Sequence, residues 1–301
     1  MDVPQGARLL SIGEIFDRAI SVLFRNFLSL TFCFGAFLLP YSLLLSWVER
    51  SSSGKVFGAI GSAIAHPGRS TNLNLLNPAY RLDANAWWLM ALGLVIFPLA
   101  GAMLVVSTAG IVNGDRPSLS SSIRRAFWRW PHAVGVLLLS VGGVAGGIFT
   151  VAATYFIWIV IWDVTTNQAT FSDSAAMVYV VVVCLATFAL AIAWIPWGAC
   201  AFSAAALGEF GVFGALRNAW KACFRRSIAV RSLLFGFGMW AIVLVGILFS
   251  YVLAAIGIAI HQINAAAVVR LVALTEIAVF VNAAGAVFYL DAKAREQRTT
   301  T

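Results

Sequence analysis

Long stretches of this chain contain no Asp, Glu, Lys or Arg. Such residues number 23 between Arg25 and Glu49, 31 between Asp83 and Asp115, and 33 between Arg129 and Asp163. They number 35 between Asp173 and Glu209 and 38 between Arg231 and Arg270. A helix of roughly 20 apolar residues, rising about 1.5 Å per residue, crosses a hydrocarbon core of about 30 Å. Each gap has room for one such helix. Composition agrees: 61% of residues are hydrophobic, 11% are charged, and the mean hydropathy is +0.91. Soluble domains are about 45–50% apolar and about 25% charged. A water-soluble fold of 301 residues has too little interior to hide so much apolar surface.

The expected fold is all-α: a polytopic membrane helical bundle in one integral membrane domain over residues 1–301. Spans are expected near 27–48, 87–111, 133–161, 175–203, 233–260 and 266–290, with Arg270 and Glu276 interrupting the last. The outer loop covers 49–86. Its Ser51–Gly54 start and its Asn72, Asn74 and Asn77-Pro78 run read as irregular, and Lys55–Ala65 reads as a short surface helix or a spacer. The polar lead of 25 residues before the first span, with no small-residue cleavage site after it, argues against a cleaved signal peptide. Cys33, Cys184, Cys200 and Cys223 lack metal or disulfide spacing and read as small core residues.

Charge asymmetry orients the chain. With the N-terminus, the 112–132 and 208–232 loops and the C-terminus on one side, that side holds 15 of the 20 Lys and Arg. Its net charge is then +8 and that of the other side is 0. The positive-inside bias places both termini in the cytoplasm, with the chain in the cell membrane, a bacterial inner membrane by expectation. Trp47, Trp87, Trp88, Trp158 and Trp162 would mark the outer interface; Trp128, Trp130 and Trp220 would mark the inner one. The basic residues flank the spans, so anionic headgroups account for them more simply than nucleic acid does.

Three similar stretches each precede a span. They begin at Ile15, Ser122 and Ala215 and align on Ala19, Ala126 and Ala219. Each has an apolar residue three positions earlier (Phe16, Ile123, Leu216). A polar residue comes directly before the alanine (Arg18, Arg125, Asn218). Apolar residues recur at helical spacing, with basic ones on the other faces, so amphipathic in-plane helices are expected near 11–25, 118–130 and 210–226. Their candidate headgroup contacts are Arg18, Arg25, Arg124, Arg125, Arg129, Lys221, Arg225 and Arg226. Ile96-Phe-Pro98 and Trp194-Ile-Pro196 match as well, which extends the repeat to a threefold helix-plus-hairpin unit. Helix contact is expected at Gly142/Gly146, Gly143/Gly147 and Ala283–Ala286, within the chain or along a homodimer seam.

The run Leu10-Ser-Ile-Gly-Glu-Ile-Phe-Asp-Arg-Ala-Ile-Ser-Val-Leu-Phe-Arg-Asn-Phe27 and the close Ala286-Val-Phe-Tyr-Leu-Asp-Ala-Lys-Ala-Arg-Glu296 resemble the glycerophosphoryl diester phosphodiesterase membrane domain family. The resemblance covers essentially the whole chain. It implies a membrane module of the kind found fused to a soluble phosphodiesterase barrel, here expected without the barrel, and it implies no phosphodiesterase activity.

Chemistry is sparse. His66, His132 and His261 share no local motif, and the chain has no nucleophile elbow, P-loop, His-Glu-x-x-His or dinucleotide fingerprint. No cofactor and no enzymatic activity are expected. Ionisable groups inside a span are functional candidates by default. Arg270, Glu276 and Asn282 are therefore a candidate intramembrane polar site, read either as a transport path or as an interhelical hydrogen bond. Glu209 and Asp291, at inner helix ends, are expected to pair with nearby Arg or Lys. The leading expectation is a non-enzymatic module that binds anionic phospholipid and organises lipid or a partner protein. A small transporter or lipid translocator is the main alternative, and a membrane-embedded enzyme the third.

Overall fold

The computed structural model describes residues 9–32, 34–35, 41, 84–115, 119–166, 173–225, 228–259 and 263–300. Among them the regular structure is helical throughout. The helices are α1 (Ile12–Arg25), α2 (Ala84–Val112), α3 (Leu119–Thr166), α4 (Asp173–Ala206), α5 (Val212–Phe224), α6 (Ala229–Ala259) and α7 (Ile263–Thr300). Residues 27–32, 34, 35 and 41 are helical too, in the region of the first expected span. Most of that span, the 49–83 part of the outer loop, Cys33, His66, Arg226 and His261 lie outside the described residues.

Local chemistry sets the start of α1. Ser11 Oγ accepts the Glu14 N–H at 3.2 Å, and the Ser11 N–H donates to Glu14 Oε2 at 2.6 Å, a reciprocal capping box. Ile15, Ala19 and Val22 share one face at helical spacing and are buried, while Asp17, Arg18 and Arg25 are exposed. At the other end of this pattern, Ala126 in α3 and Ala219 in α5 are as fully buried as Ala19.

Among the described residues, four helices are long and apolar enough to cross a membrane: Ala91–Val112, Cys184–Ala206, Ala229–Ser250 and Thr275–Arg298. Large apolar side chains stand exposed around the bundle, among them Leu28 (81%), Phe32, Leu185, Val245 and Phe249. Such surface is unfavourable in water and neutral in hydrocarbon.

The expected boundary between an in-plane helix ending at 130 and a span starting at 133 is not present. α3 runs unbroken for 48 residues with Pro131 inside it, just as Pro98 lies inside α2 and Pro196 inside α4. Proline removes one N–H donor and crowds the preceding turn. A full break beside an apolar span would strand several backbone groups, so continuing the helix is the smaller penalty. Likewise α7 continues past the expected end at 290 to Thr300, carrying Lys293, Arg295 and Arg298.

The centre of the bundle is α7, which packs against α1, α2, α4 and α6, while α3 lies on α2 and α4, and α5 lies on α4. Small residues permit this. Ala283, Ala284, Gly285 and Ala286 are all buried, as expected, and a Cβ on Gly285 would approach Ala199 Cβ at 3.0 Å. Aromatic rings then tie α1, α6 and α7 together. Phe235 stacks on Phe288 at 4.2 Å and on Phe16 at 5.5 Å between centroids. Cys200 and Cys223 are buried in this core as expected, whereas Cys184 is exposed on α4.

The glycine pairs of α3 make no close approach among the described residues. A Cβ on Gly142, Gly143 or Gly146 would meet no described atom within 4 Å, and one on Gly147 only Leu190 at 3.7 Å. α3 does not use them to approach another described helix. The close approach occurs at Gly236 of α6, where a Cβ would sit 2.1 Å from the Ile192 carbonyl oxygen of α4. Gly236→Ala should force α4 and α6 apart and destabilise the protein by about 1–3 kcal/mol, the scale of core overpacking. Gly143→Ala should be neutral or stabilising by about 0.5–1 kcal/mol, because alanine is the better helix former. Thermal unfolding of both variants in one detergent checks the contrast; equal melting temperatures would refute it.

Candidate functional site

A cavity of about 680 Å³ opens where the ends of α2 and α4 meet the first turns of α3. The α3 side supplies Ser121, Arg124, Arg125, Trp128 and Arg129; the opposite wall is Val106, Ala206, Leu207 and Glu209. Arg125 and Arg129 are four residues apart and so share a helix face, as do Arg124 and Trp128. Trp128 is 74% exposed on the lip of the cavity, whereas the exposed Ile123 and Phe127 lie on the other side of the helix.

The far wall is shaped by how α4 ends. The Gly208 N–H donates to the Ala205 carbonyl at 3.1 Å, and the Glu209 N–H to the Ala204 carbonyl at 3.2 Å. Gly208 adopts φ +78°. That is a Schellman stop, which needs a residue without Cβ strain at the left-handed position. The glycine also seats Arg129: a Cβ there would lie 2.5 Å from Arg129 Nε and 2.6 Å from Cζ.

Glu209 does not neutralise the arginines. Its Oε2 accepts the Tyr289 hydroxyl at 2.5 Å, and its Oε1 accepts Lys293 Nζ at 2.8 Å. Among the described residues, no carboxylate pairs with Arg124, Arg125 or Arg129. The cavity therefore gathers three uncompensated guanidinium groups, which is an arrangement for binding an anion.

A second polar centre is structural in character. Asp291, whose side chain is 2% exposed, accepts three donors: the Leu10 N–H at 2.8 Å, Arg231 Nη1 at 2.5 Å and Arg295 Nε at 2.8 Å. Both arginines then donate through Nη2 to the Leu10 carbonyl oxygen, at 2.6 and 2.7 Å. The Arg231 guanidinium also lies 6.0 Å over the Phe288 ring. The expected pairing of Asp291 and Glu209 with basic residues is therefore present. What sequence reasoning missed is that the partners come from far along the chain and converge on the backbone of Leu10. Only the Asp291/Arg295 spacing of four residues was visible as a local signal.

The other candidates are dispersed. Arg18 Nη2 donates to the Val112 carbonyl at 3.2 Å, capping α2, and Arg25 is exposed at the end of α1. Lys221 and Arg225 line a second cavity of about 220 Å³ together with Arg295 and Arg298. Thr31 Oγ1 donates to Glu276 Oε1 at 2.9 Å, while the buried Oε2 has no partner among the described residues. Asn282 Nδ2 donates within its own helix to the Ala278 carbonyl at 2.8 Å. Six residues turn a helix by about 240°, so Glu276 and Asn282 face different neighbours and do not form one site. The Arg270 side chain lies outside the described residues.

Removing the Asp291 carboxylate leaves two guanidiniums facing each other without a counter-charge. Asp291→Ala should destabilise the protein by about 3–5 kcal/mol, the range for breaking one partner of a buried ion pair. It should also release the N-terminal segment. Hydrogen exchange at the Leu10 amide is the measurement, and unchanged protection there would refute the anchoring role.

No family model, curated protein or solved structure matches the chain, so its own geometry carries the functional argument.

Proposed function

We propose that the protein is a non-enzymatic, multi-pass membrane module that grips anionic phospholipid at its basic end and organises lipid or a partner protein there. The observation that carries this reading is the arginine cavity, with exposed Trp128 on its lip and Val106, Ala206 and Leu207 in its opposite wall. Guanidiniums suit phosphates, and apolar side chains beside them suit acyl chains. Attraction to anionic headgroups is worth about 1 kcal/mol per basic residue near the surface.

The reading includes six spans with both termini in the cytoplasm of a bacterial inner membrane. It also includes a threefold repeat of in-plane helix plus hairpin, and membership of the glycerophosphoryl diester phosphodiesterase membrane domain family. Burial of Ala19, Ala126 and Ala219 at equivalent places supports the repeat. Against the transporter alternative, Glu276 is engaged by Thr31 and lines neither cavity described above.

The test is purification from native membrane with identification of retained lipids. Neutralising Arg124, Arg125 and Arg129 together should remove about 3 kcal/mol of headgroup attraction, roughly a hundredfold in affinity. Phosphatidylglycerol should then be retained no better than phosphatidylethanolamine. Unchanged lipid content would refute the headgroup-gripping role. Accessibility tags on the two termini should report one compartment, and opposite compartments would refute the six-span topology.

A further inference from the structure

The second cavity and the Glu276–Thr31 pair carry less than the first cavity, where charge, shape and an unusual backbone position coincide. We infer that the α3/α4 cavity is a saturable, one-per-chain site for the phosphate of an anionic phospholipid, as distinct from diffuse adsorption of a basic surface. The inference rests on the lipid-binding reading above and deepens it.

Diffuse adsorption needs only exposed positive charge, and Arg25 or Arg217 serves as well as any other residue. This cavity has features that adsorption does not require. Its volume, about 680 Å³, lies within the range of about 300–1,000 Å³ typical of small-molecule sites. A bare phosphate would leave most of it empty. Its walls are mixed: guanidiniums on α3 face Val106, Ala206 and Leu207. A ligand that satisfies both walls carries an anion joined to an apolar body.

One donor also packs against the turn that ends α4. Arg129 lies against the Cα of Gly208, in the space where any side chain on that residue would project. Gly208 is itself required by the turn, at φ +78°. The Lys293–Glu209–Tyr289 chain holds the neighbouring carboxylate through both its oxygens. A guanidinium offers forked bonds to a phosphate. Arg125, one turn earlier on the same face, completes the clamp, and Arg124 adds charge at the rim. A phosphodiester bearing acyl chains could place its phosphate between Arg125 and Arg129 and its chains along Trp128 and the wall of Val106 and Leu207.

This makes the Gly208–Arg129 contact a lever that changes the site without changing charge. In Gly208→Ala the new methyl would displace the Arg129 guanidinium and would also strain the left-handed turn, so Arg129→Gln serves as the independent variant. The experiment uses the full chain, purified in maltoside detergent, delipidated and titrated with dioctanoyl phosphatidylglycerol, dioctanoyl phosphatidylcholine or inorganic phosphate. Native mass spectrometry counts bound molecules per chain.

Wild type should reach a plateau of one phosphatidylglycerol, with phosphatidylcholine and inorganic phosphate each at least about tenfold weaker. Gly208→Ala and Arg129→Gln should each weaken that plateau at least about tenfold, while Arg217→Gln, an equal loss of charge elsewhere, should leave it in place. If Gly208→Ala does not fold, Arg129→Gln against Arg217→Gln decides. A preference for phosphatidylglycerol with no plateau, or one equally sensitive to Arg129→Gln and Arg217→Gln, overturns the site but leaves the lipid-binding reading standing. Absence of any preference over phosphatidylcholine overturns both. Tighter binding of inorganic phosphate than of the lipid overturns the lipid as ligand.

Discussion

Asp291 is a carboxylate almost sealed from solvent, and the architecture near the basic end is organised around satisfying it. A buried charge without partners is too costly to persist. Here the N–H of Leu10, Arg231 of α6 and Arg295 of α7 each supply a donor. The two arginines, brought together by that carboxylate, use their remaining donors on the Leu10 carbonyl. One side chain thereby fastens the segment leading into α1 to the last two helices. Helix α1 is then laid along α7, and Phe16 reaches the aromatic stack with Phe235 and Phe288.

Helix α7 can occupy the centre because it is built of two kinds of surface. Its middle is small and apolar, Ala283 to Val287, so neighbouring backbones approach closely. Its end bears Tyr289, Asp291, Lys293 and Arg295, which reach outward to Glu209, Arg231 and Leu10. The Glu209 branch links this centre to the cavity, since the Schellman turn that presents Glu209 also seats Arg129. The structural core and the candidate lipid site thus share a wall. Among the described residues the three arginines of that cavity have no carboxylate partner, because Glu209 in its wall is already held by α7.

Much of the fold was legible from local pattern. The helices at 12–25 and 212–224 fall where apolar spacing placed them, and the capping box at Ser11 and Glu14 marks the first one. The buried Ala283–Ala286 run was readable from residue size. At the α3 glycine pairs, spacing shows that a helix offers a small-residue face and says nothing of which neighbour takes it. A tight helix contact is made at Gly236 of α6. The expected boundary between 130 and 133 is absent for another reason: beside an apolar span the cost of a break exceeds that of the one bond missing at Pro131.

Of the candidate site, residue identities were visible and their assembly was not. Arg124, Arg125, Trp128 and Arg129 stand within six positions of sequence and share adjoining faces of one helix, so their grouping followed from helical geometry. The wall that turns this basic face into a cavity comes from the end of α4, some 80 residues later. By itself the sequence determined helical class, the apolar segments and the end of the molecule that carries the positive charge, because each depends on interactions within a turn or two of the chain. Only the tertiary structure decided that α7 is central, that Leu10 is held by residues up to 285 positions away, and that Glu209 leaves the arginines free. Those outcomes depend on which helices meet, and contacts between distant residues leave no mark in the spacing of either one.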